Sequence, residues 1–385
     1  MLSRADGNPE GTETMISAPA GVPGIDLAAL ARYLPAVLDD YDPAAGLGAR
    51  LLAGGRSNLT CLIFQPDGRQ PPAVAQPEGS RQWVLRRPPL GHVMPSAHDM
   101  VREFRILSEL DGTGFPAPRP RALCTDHSLL GVTFLVYDYV PGLVVSDEAA
   151  AAQMTAGQAG TVCSELVGTL ARLHGLPPPA APPGRSASAT DYLRRQVTRW
   201  TGQWQHTATR DLPAFPRLAR WLRDEVNGLT ADYEVTVVHG DYRLDNLILD
   251  PGTRQVRAVL DWEMSTLGDP LMDLALLLVY WEQPGDGLRG HVNVARNLTT
   301  GDGFWSREQL VGAYAGATAR PLDHLPVCLA LACLKLAVVM ESIHYRHRSG
   351  QAIDPLSAGL GDAAPALLEL GLAVASGHAL ASLTA

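Results

Sequence analysis

Three side chains in one short window carry the chemistry this sequence offers. Asp241 follows an apolar run, Asn246 stands five residues later, and Asp261 closes another apolar run fifteen residues beyond that. The window reads Val238-His239-Gly240-Asp241-Tyr242-Arg243-Leu244-Asp245-Asn246 and runs on to Leu260-Asp261. Two carboxylates and an amide at this spacing are the groups that phosphoryl transfer from a nucleoside triphosphate requires. One carboxylate orients or accepts the proton of an attacking hydroxyl. The amide and the second carboxylate hold the Mg²⁺ that bridges the phosphates.

Taken singly, each piece has an ordinary structural explanation. His-Gly-Asp makes a turn, because Gly supplies an unusual backbone angle and Asp bonds its own backbone. Asp before Trp caps a helix or turn. The joint arrangement is more specific. Apolar runs at Thr236 to Val238 and Leu247 to Leu249 flank the loop, and Pro251-Gly252 turns the chain into a third run, Val256 to Leu260. That pattern predicts a hairpin presenting both acids at one edge. The spacing matches the kinase catalytic-loop pattern H-x-D-x-x-x-x-N, followed by an Asp where D-F-G would begin.

The rest of the chain must position these groups. Its 385 residues suffice for two lobes with a sizeable core, and 46% hydrophobic against 18% charged residues is a globular balance. A net charge of −9 argues against nucleic acid as a partner, which would call for a basic footprint. Cys61, Cys124, Cys163, Cys328 and Cys333 are odd in number and scattered, which predicts buried thiols and neither a disulfide framework nor a zinc site. The polar, Gly- and Pro-bearing stretch up to Gly24 reads as a disordered leader rather than a signal peptide. The longest apolar run, Leu325 to Met340, is shorter than a bilayer span and carries Lys335, so it reads as a core helix. A cytoplasmic protein without a membrane partner is expected.

Strands are predicted at Arg50 to Ala53, Leu59 to Phe64 and Trp83 to Arg86. A helix follows at Ala97 to Leu110, its apolar face formed by Val101, Phe104, Leu107 and Leu110, and then strands at Arg121 to Cys124 and Thr133 to Tyr139. Residues 66 to 80 read as a long hairpin loop. After Pro141-Gly142 the pattern turns helical, with helices near 156–174, 191–205, 215–229, 270–280, 306–315, 326–346 and 363–380, and a Pro/Ala/Ser linker at 177–189. The expected domains are 25–140 for nucleotide binding and 141–385 for the catalytic loop and acceptor site.

The sequence resembles the aminoglycoside phosphotransferase family, small-molecule kinases with a two-lobed protein-kinase-like fold. It is closest to the branch associated with, or fused to, acyl-CoA dehydrogenases. The stretches that carry the resemblance are Val238 to Asn246, Leu260-Asp261-Trp262-Glu263 and Gly268-Asp269-Pro270-Leu271-Met272-Asp273-Leu274-Ala275, with weaker similarity from about Leu51 to Gly350. Asp245 departs from that branch, which usually has Gly there, and adds a carboxylate beside the metal site. The resemblance implies an α+β fold with a small antiparallel-sheet N-lobe and a larger, mostly helical C-lobe. It also implies ATP as phosphoryl donor, Mg²⁺ as cofactor, a small-molecule hydroxyl as acceptor and a functional link to an acyl-CoA dehydrogenase.

Roles follow for individual residues. Asp241 is the base or orienting carboxylate, and Asn246 and Asp261 are the candidate metal ligands, unless Asn246 bonds the loop backbone instead. Arg243 either faces the transferring phosphoryl group or pairs with Asp245. Arg86 stands where the phosphate-contacting Lys of a kinase would be, and Arg can bind phosphate bidentately. Strand alternation puts Arg86 and Arg87 on opposite faces without saying which is the cleft. Glu103 is either the partner of that cation or a solvated helix-face acid near Arg102 and Arg105, and the lobe order favours the ion pair. Gly54, Gly55 and Ser57, in Gly54-Gly55-Arg56-Ser57-Asn58, form a phosphate-covering loop. Tyr139 lies in the hinge Tyr137-Asp138-Tyr139-Val140-Pro141-Gly142, where adenine would bond backbone groups. Asp273 reads as a buried acid bracing the loop, through a structural His239. Acceptor-side candidates are Arg194, Arg195, Arg199, Trp200, His344, Arg346 and His347. Converging cations would favour an anionic hydroxy acid or hydroxyacyl thioester, whereas acids would favour an aminoglycoside. A non-catalytic pseudokinase module is the alternative of a different class. A protein kinase is disfavoured by the missing A-P-E segment and the short interval between Asp261 and Gly268.

Overall fold

A computed structural model describes residues 22–52, 58–65, 81–90, 99–178, 188–231, 233–286, 298–349 and 361–377. The expected leader up to residue 21, Gly54, Gly55 and Ser57, the 66–80 loop and most of the 177–189 linker lie outside the described residues.

A short helix, α1 (Leu27–Tyr33), precedes a five-stranded sheet made of β1 (Gly48–Leu51), β2 (Leu59–Gln65), β3 (Arg81–Arg87), β4 (Pro120–Cys124) and β5 (Phe134–Asp138). The order is β1-β2-β3-β5-β4, and every neighbouring pair is antiparallel. Helix α2 (Met100–Leu110) lies between β3 and β4, and one turn, α3 (His127–Leu130), between β4 and β5. Both faces of the sheet are buried. Ile63, Trp83, Leu85, Phe134 and Val136 join Leu30 and Leu34 of the α1 side, while Val84, Leu135 and Tyr137 join the larger core with α2. Period-2 alternation along β3 therefore sends Arg86 with Val84 toward α2 and Arg87 with Leu85 toward α1.

The stripe that α2 buries differs from the expected one. Met100, Glu103, Ile106, Leu107 and Leu110 are buried, whereas Val101 is 52% exposed. The helix turns its Glu103 inward because that carboxylate meets the buried Arg86 guanidinium, and an ion-pair demand of this kind is invisible to an apolar periodicity. Asp99 caps the helix through the Arg102 amide.

The rest is mostly helical: α4 (Glu148–Ala152), α5 (Ala156–His174), α6 (Ala189–Thr207), α7 (Ala214–Gly228), α8 (Leu271–Tyr280), α9 (Arg307–Thr318), α10 (Leu325–Arg348) and α11 (Ala363–Ala375). Helix α10 is apolar on all sides because it is the axis of this lobe, packed against α6, α7, α8 and α11. By length and composition it could cross a membrane, but 78% of its most apolar stretch is buried within the fold.

Four short strands sit between α7 and α8. The expected single hairpin resolves into two ribbons. β7 (Leu247–Leu249) and β8 (Val256–Val259) form a hairpin, while β6 (Thr236–Val238) pairs with β9 (Thr266–Gly268). Strand β9, Thr266-Leu267-Gly268, offers one apolar residue, too little to mark a strand. Asp241 and Asp261 thus lie where the chain crosses between the ribbons, not along one hairpin edge. A backbone bridge between Leu143 and Leu249, with both N–H···O distances 2.8 Å, ties the segment after β5 to β7.

Trp83 is 1% exposed and packs against Tyr41 at 6.1 Å. Trp83→Ala is expected to cost roughly 3–5 kcal/mol in equilibrium denaturation. A loss under about 1 kcal/mol would show that the α1 face of the sheet is not a true core.

Candidate active site

Strand β6 delivers His239 and Gly240 into a tight turn that two buried hydrogen bonds hold. The amides of His239 and Gly240 donate to Asp273, at 2.6 and 2.7 Å. His174 meets the same carboxylate at 3.3 Å. Asp273 does brace the loop, then, but through backbone amides rather than the His239 ring. Burial pushes its carboxyl up, yet the His174 and His239 rings and the Gly240 amide outweigh that and hold it below the usual carboxylate range. Gly240 has φ +84°, and a Cβ there would lie 2.7 Å from the Met264 carbonyl oxygen, so the position admits glycine alone.

The His239 ring joins the two halves of the site. Its Nε2 is 2.7 Å from the Leu260 carbonyl, and its Nδ1 lies 3.2 Å from the Asp241 amide. A carbonyl can only accept and an amide can only donate, so the ring carries its proton on Nε2. The residue before Asp261 is thereby bonded to the residue before Gly240.

Asp241 sits at the centre. Its Oδ1 accepts from the Tyr280 hydroxyl at 3.0 Å, and its Oδ2 lies 3.3 Å from Asn246 Nδ2 and 3.5 Å from Arg243 Nε. Asn246 also donates to the Asp241 carbonyl at 2.8 Å, which leaves its amide oxygen for another partner. Arg243 bonds Asp245 at 3.1 Å and lies 4.9 Å over the Tyr280 ring. Burial raises the Asp245 carboxyl, and Arg243 pulls it back in part.

Asp261 has φ +68°, a left-handed conformation that costs a non-glycine residue of order 1 kcal/mol or more. It bonds Arg86, which also meets Glu103 at 3.0 Å and Glu263 at 3.0 Å. Burial pushes the Asp261 carboxyl up, but the Arg86 guanidinium outweighs it and holds the group below the usual range. Fully buried Glu103 is pushed up to about 7, with Arg86 opposing. Glu263 also receives the side-chain amide of Asn58, which closes the glycine-rich segment.

Asp241, Arg243, Asn246 and Asp261 are thus brought together, with Arg86 and Glu103 alongside. Arg87 is not among them, since it turns toward the α1 side and bonds the carbonyls of Pro88, Gly24 and Leu130. The backbone of Tyr139 follows β5 and its amide reaches the Gln82 carbonyl at 3.4 Å. On the acceptor side, Arg194 is an exposed partner of Asp191 and Asn227, Arg195 is exposed, and Arg346 and His347 are exposed on the last turn of α10. Arg199 is exposed as well and lies 4.9 Å over the Trp200 ring.

Sequence reasoning missed Tyr280, Glu263 and Lys335. Tyr280 ends a helix read only as apolar, and Glu263 lay inside a quoted motif without a role. Lys335, in the middle of α10, donates to the Gly240 carbonyl. A lone cation in an apolar helix was the one signal available.

The profile of the phosphotransferase enzyme family (APH) matches residues 48–307. The chain is 33% identical over 323 residues to acyl-CoA dehydrogenase family member 11 of Rattus norvegicus, covering 83% of this chain and 40% of that protein. Against acyl-CoA dehydrogenase family member 10 of Mus musculus the identity is 32%, over 83% of this chain and 30% of the relative. The chain therefore spans less than half the length of these curated relatives. Among solved structures, a Ralstonia eutropha protein classed with the aminoglycoside phosphotransferases matches at TM-score 0.68 and 27% identity, covering 91% of this chain and 98% of the other. A choline/ethanolamine kinase family protein from Mesorhizobium loti shares the fold at TM-score 0.56 and 18% identity, over 93% and 99% of the two chains. So does aminoglycoside phosphotransferase APH(4)-Ia in ternary complex with AMP-PNP and hygromycin B, at TM-score 0.56 and 14% identity, over 92% and 98%.

Removing one partner of a buried ion pair strands the other. Arg86→Met and Glu103→Leu are each expected to cost about 3–5 kcal/mol, and the double variant clearly less than their sum. Additive losses in denaturant unfolding would show that the pair is not energetically coupled.

Proposed function

The chain belongs to the phosphotransferase enzyme family and is a small-molecule kinase of kinase-like fold, and on that footing we propose what each group in the site does. ATP is the phosphoryl donor and a hydroxyl of a small molecule is the acceptor. The observation that carries this reading is the convergence of Asp241, Asn246 and Asp261 around one loop, with Arg86 beside them.

Asp241 orients the acceptor hydroxyl and takes up its proton. The Tyr280 hydroxyl fixes one of its oxygens, and Asn246 and Arg243 flank the other. A loose transition state asks mainly for such positioning. Arg243 keeps positive charge beside the reacting centre while Asp245 and Tyr280 fix its direction. Arg86 holds phosphate oxygens, with Glu103 orienting it, and residues Gly54, Gly55 and Ser57 cover them. The hinge backbone around Tyr139 takes the adenine.

The donor set suits a hard cation. The Asp261 carboxylate and the Asn246 amide oxygen are both oxygen ligands, and Asn246 has already spent its nitrogen on Asp241. Asn246 and Asp261 would hold Mg²⁺, which would supply positive charge against the phosphates.

For the acceptor we propose a metabolic hydroxy acid or hydroxyacyl compound. Arg199 on α6 and Arg102 on α2 are close enough that their repulsion, added to burial, lowers the Arg199 pKa. Positive charge on both helices suits an anionic ligand. The kinship with acyl-CoA dehydrogenase family members supports the same class and suggests a functional link to such a dehydrogenase.

The test is MgATP turnover across hydroxy acids, hydroxyacyl-CoAs and aminoglycosides. Turnover with the first two groups is expected, and Asp241→Asn should lower kcat by roughly 10²–10⁴-fold while leaving MgATP binding intact. Failure of the wild-type protein to bind MgATP would overturn the proposal, and turnover confined to aminoglycosides would overturn the acceptor class.

A further inference from the structure

Lys335 is the only lysine in the chain, and every other member of its 31 Lys and Arg residues is an arginine. That single ammonium is buried, 7% exposed, in the middle of α10. Burying a charge is costly unless something compensates it. Its hydrogen bond goes to a backbone carbonyl, that of Gly240. The Trp200 ring lies 5.7 Å away, within cation–π range.

Gly240 is therefore gripped on both sides. Its N–H donates to Asp273 and its C=O accepts from Lys335. Its left-handed φ and the Met264 carbonyl pressed against it leave no room for another residue. The peptide that follows sets the direction in which Asp241 leaves the turn. Without the ammonium, the Gly240 carbonyl loses its donor inside the fold.

Resting on the phosphotransferase reading above, we infer that Lys335 is a positioning residue. Its ammonium fixes the Gly240–Asp241 peptide and so aims the Asp241 carboxylate at the acceptor. It acts through Asp241 and does not itself touch substrate.

The environment gives this clamp a pH range. Burial pushes the Lys335 pKa down to about 8. Asp241 from the loop and Asp273 from α8 pull it back up, and Arg199 from α6 pushes it further down. The ammonium is complete below that pH and lost as pH rises through it. A neutral amine donates more weakly. Arginine keeps its charge throughout.

Lys335→Met and Lys335→Arg, made in the full chain, test the inference by two readouts. The first is hydrogen–deuterium exchange of residues 239–246. The second is the pH profile of MgATP turnover with the best acceptor of the panel, or with water. In the Met variant we expect loop exchange at least fivefold faster and kcat down tenfold or more, with the KM for ATP within twofold of wild type. The Arg variant should keep slow exchange and most of kcat, and should lack the fall in activity that the wild type shows near pH 8. Unchanged loop exchange in the Met variant, or an alkaline limb that persists in the Arg variant, overturns the inference. Should the Met variant fail to fold, the Arg profile decides alone. A wild type that turns over no acceptor defeats the phosphotransferase reading, while loop exchange still decides whether the clamp exists.

Discussion

The two lobes meet on one buried guanidinium. Arg86 comes from β3, Glu103 from α2, and Asp261 and Glu263 from the segment after β8, and all four side chains converge there. A charge that far from water is tolerable only where carboxylates surround it. The arrangement fixes the register of β3, because a shift by one residue would send Arg86 to the α1 face and Arg87 into the cleft. It also fixes the rotation of α2, which must turn Glu103 inward at the expense of Val101. Arg86 Nε and Glu103 Oε2 remain buried without hydrogen-bond partners, open polar atoms of the kind that solvent or a ligand completes.

Given that anchor, the rest of the site is a matter of backbone geometry. Asp273 collects two consecutive amides and a histidine, which lets Gly240 hold a left-handed conformation. Asp261 holds a second left-handed conformation without the excuse of being glycine. The His239 ring links the two turns, one nitrogen accepting from Asp241 and the other donating to Leu260. Backbone strain of this kind persists only where surrounding contacts over-determine it, and here the contacts come from β6, β8 and α8 together. The short strands β6 to β9 are individually too weak to define anything. They work as struts between helices.

Much of this was legible in the residues. Asp241, Asn246 and Asp261 announced themselves by type and spacing, and the alternation of strands and one helix gave the small lobe. What escaped was set by contacts distant in sequence. The pairing of β6 with β9 depends on a return of the chain that Thr266-Leu267-Gly268 does not signal. The inward turn of Glu103 depends on a partner seventeen residues away on another element. Strand alternation could say that Arg86 and Arg87 face opposite ways, but only the packing of Trp83 and Leu85 on α1 says which faces the cleft. Tyr280 reads as one more apolar residue of α8 until the fold sets its hydroxyl against Asp241.

Charge arithmetic explains why these groups suit a polyphosphate only in company. Around the loop stand the carboxylates of Glu103, Asp241, Asp245, Asp261 and Glu263, against the guanidiniums of Arg86 and Arg243. Even with Glu103 pushed toward neutrality by burial, negative charge exceeds positive. A triphosphate approaching alone would be repelled, and more strongly as the cleft sheds water and the local dielectric falls. A divalent cation entering with it would offset that excess. Asp261 would hold such a cation, and Arg86 would then meet phosphate oxygens instead. On that proposal the ion pair between Arg86 and Asp261 would serve two purposes. It neutralises a half-buried carboxylate, and under the proposed function each partner would have a ligand of opposite charge to turn to.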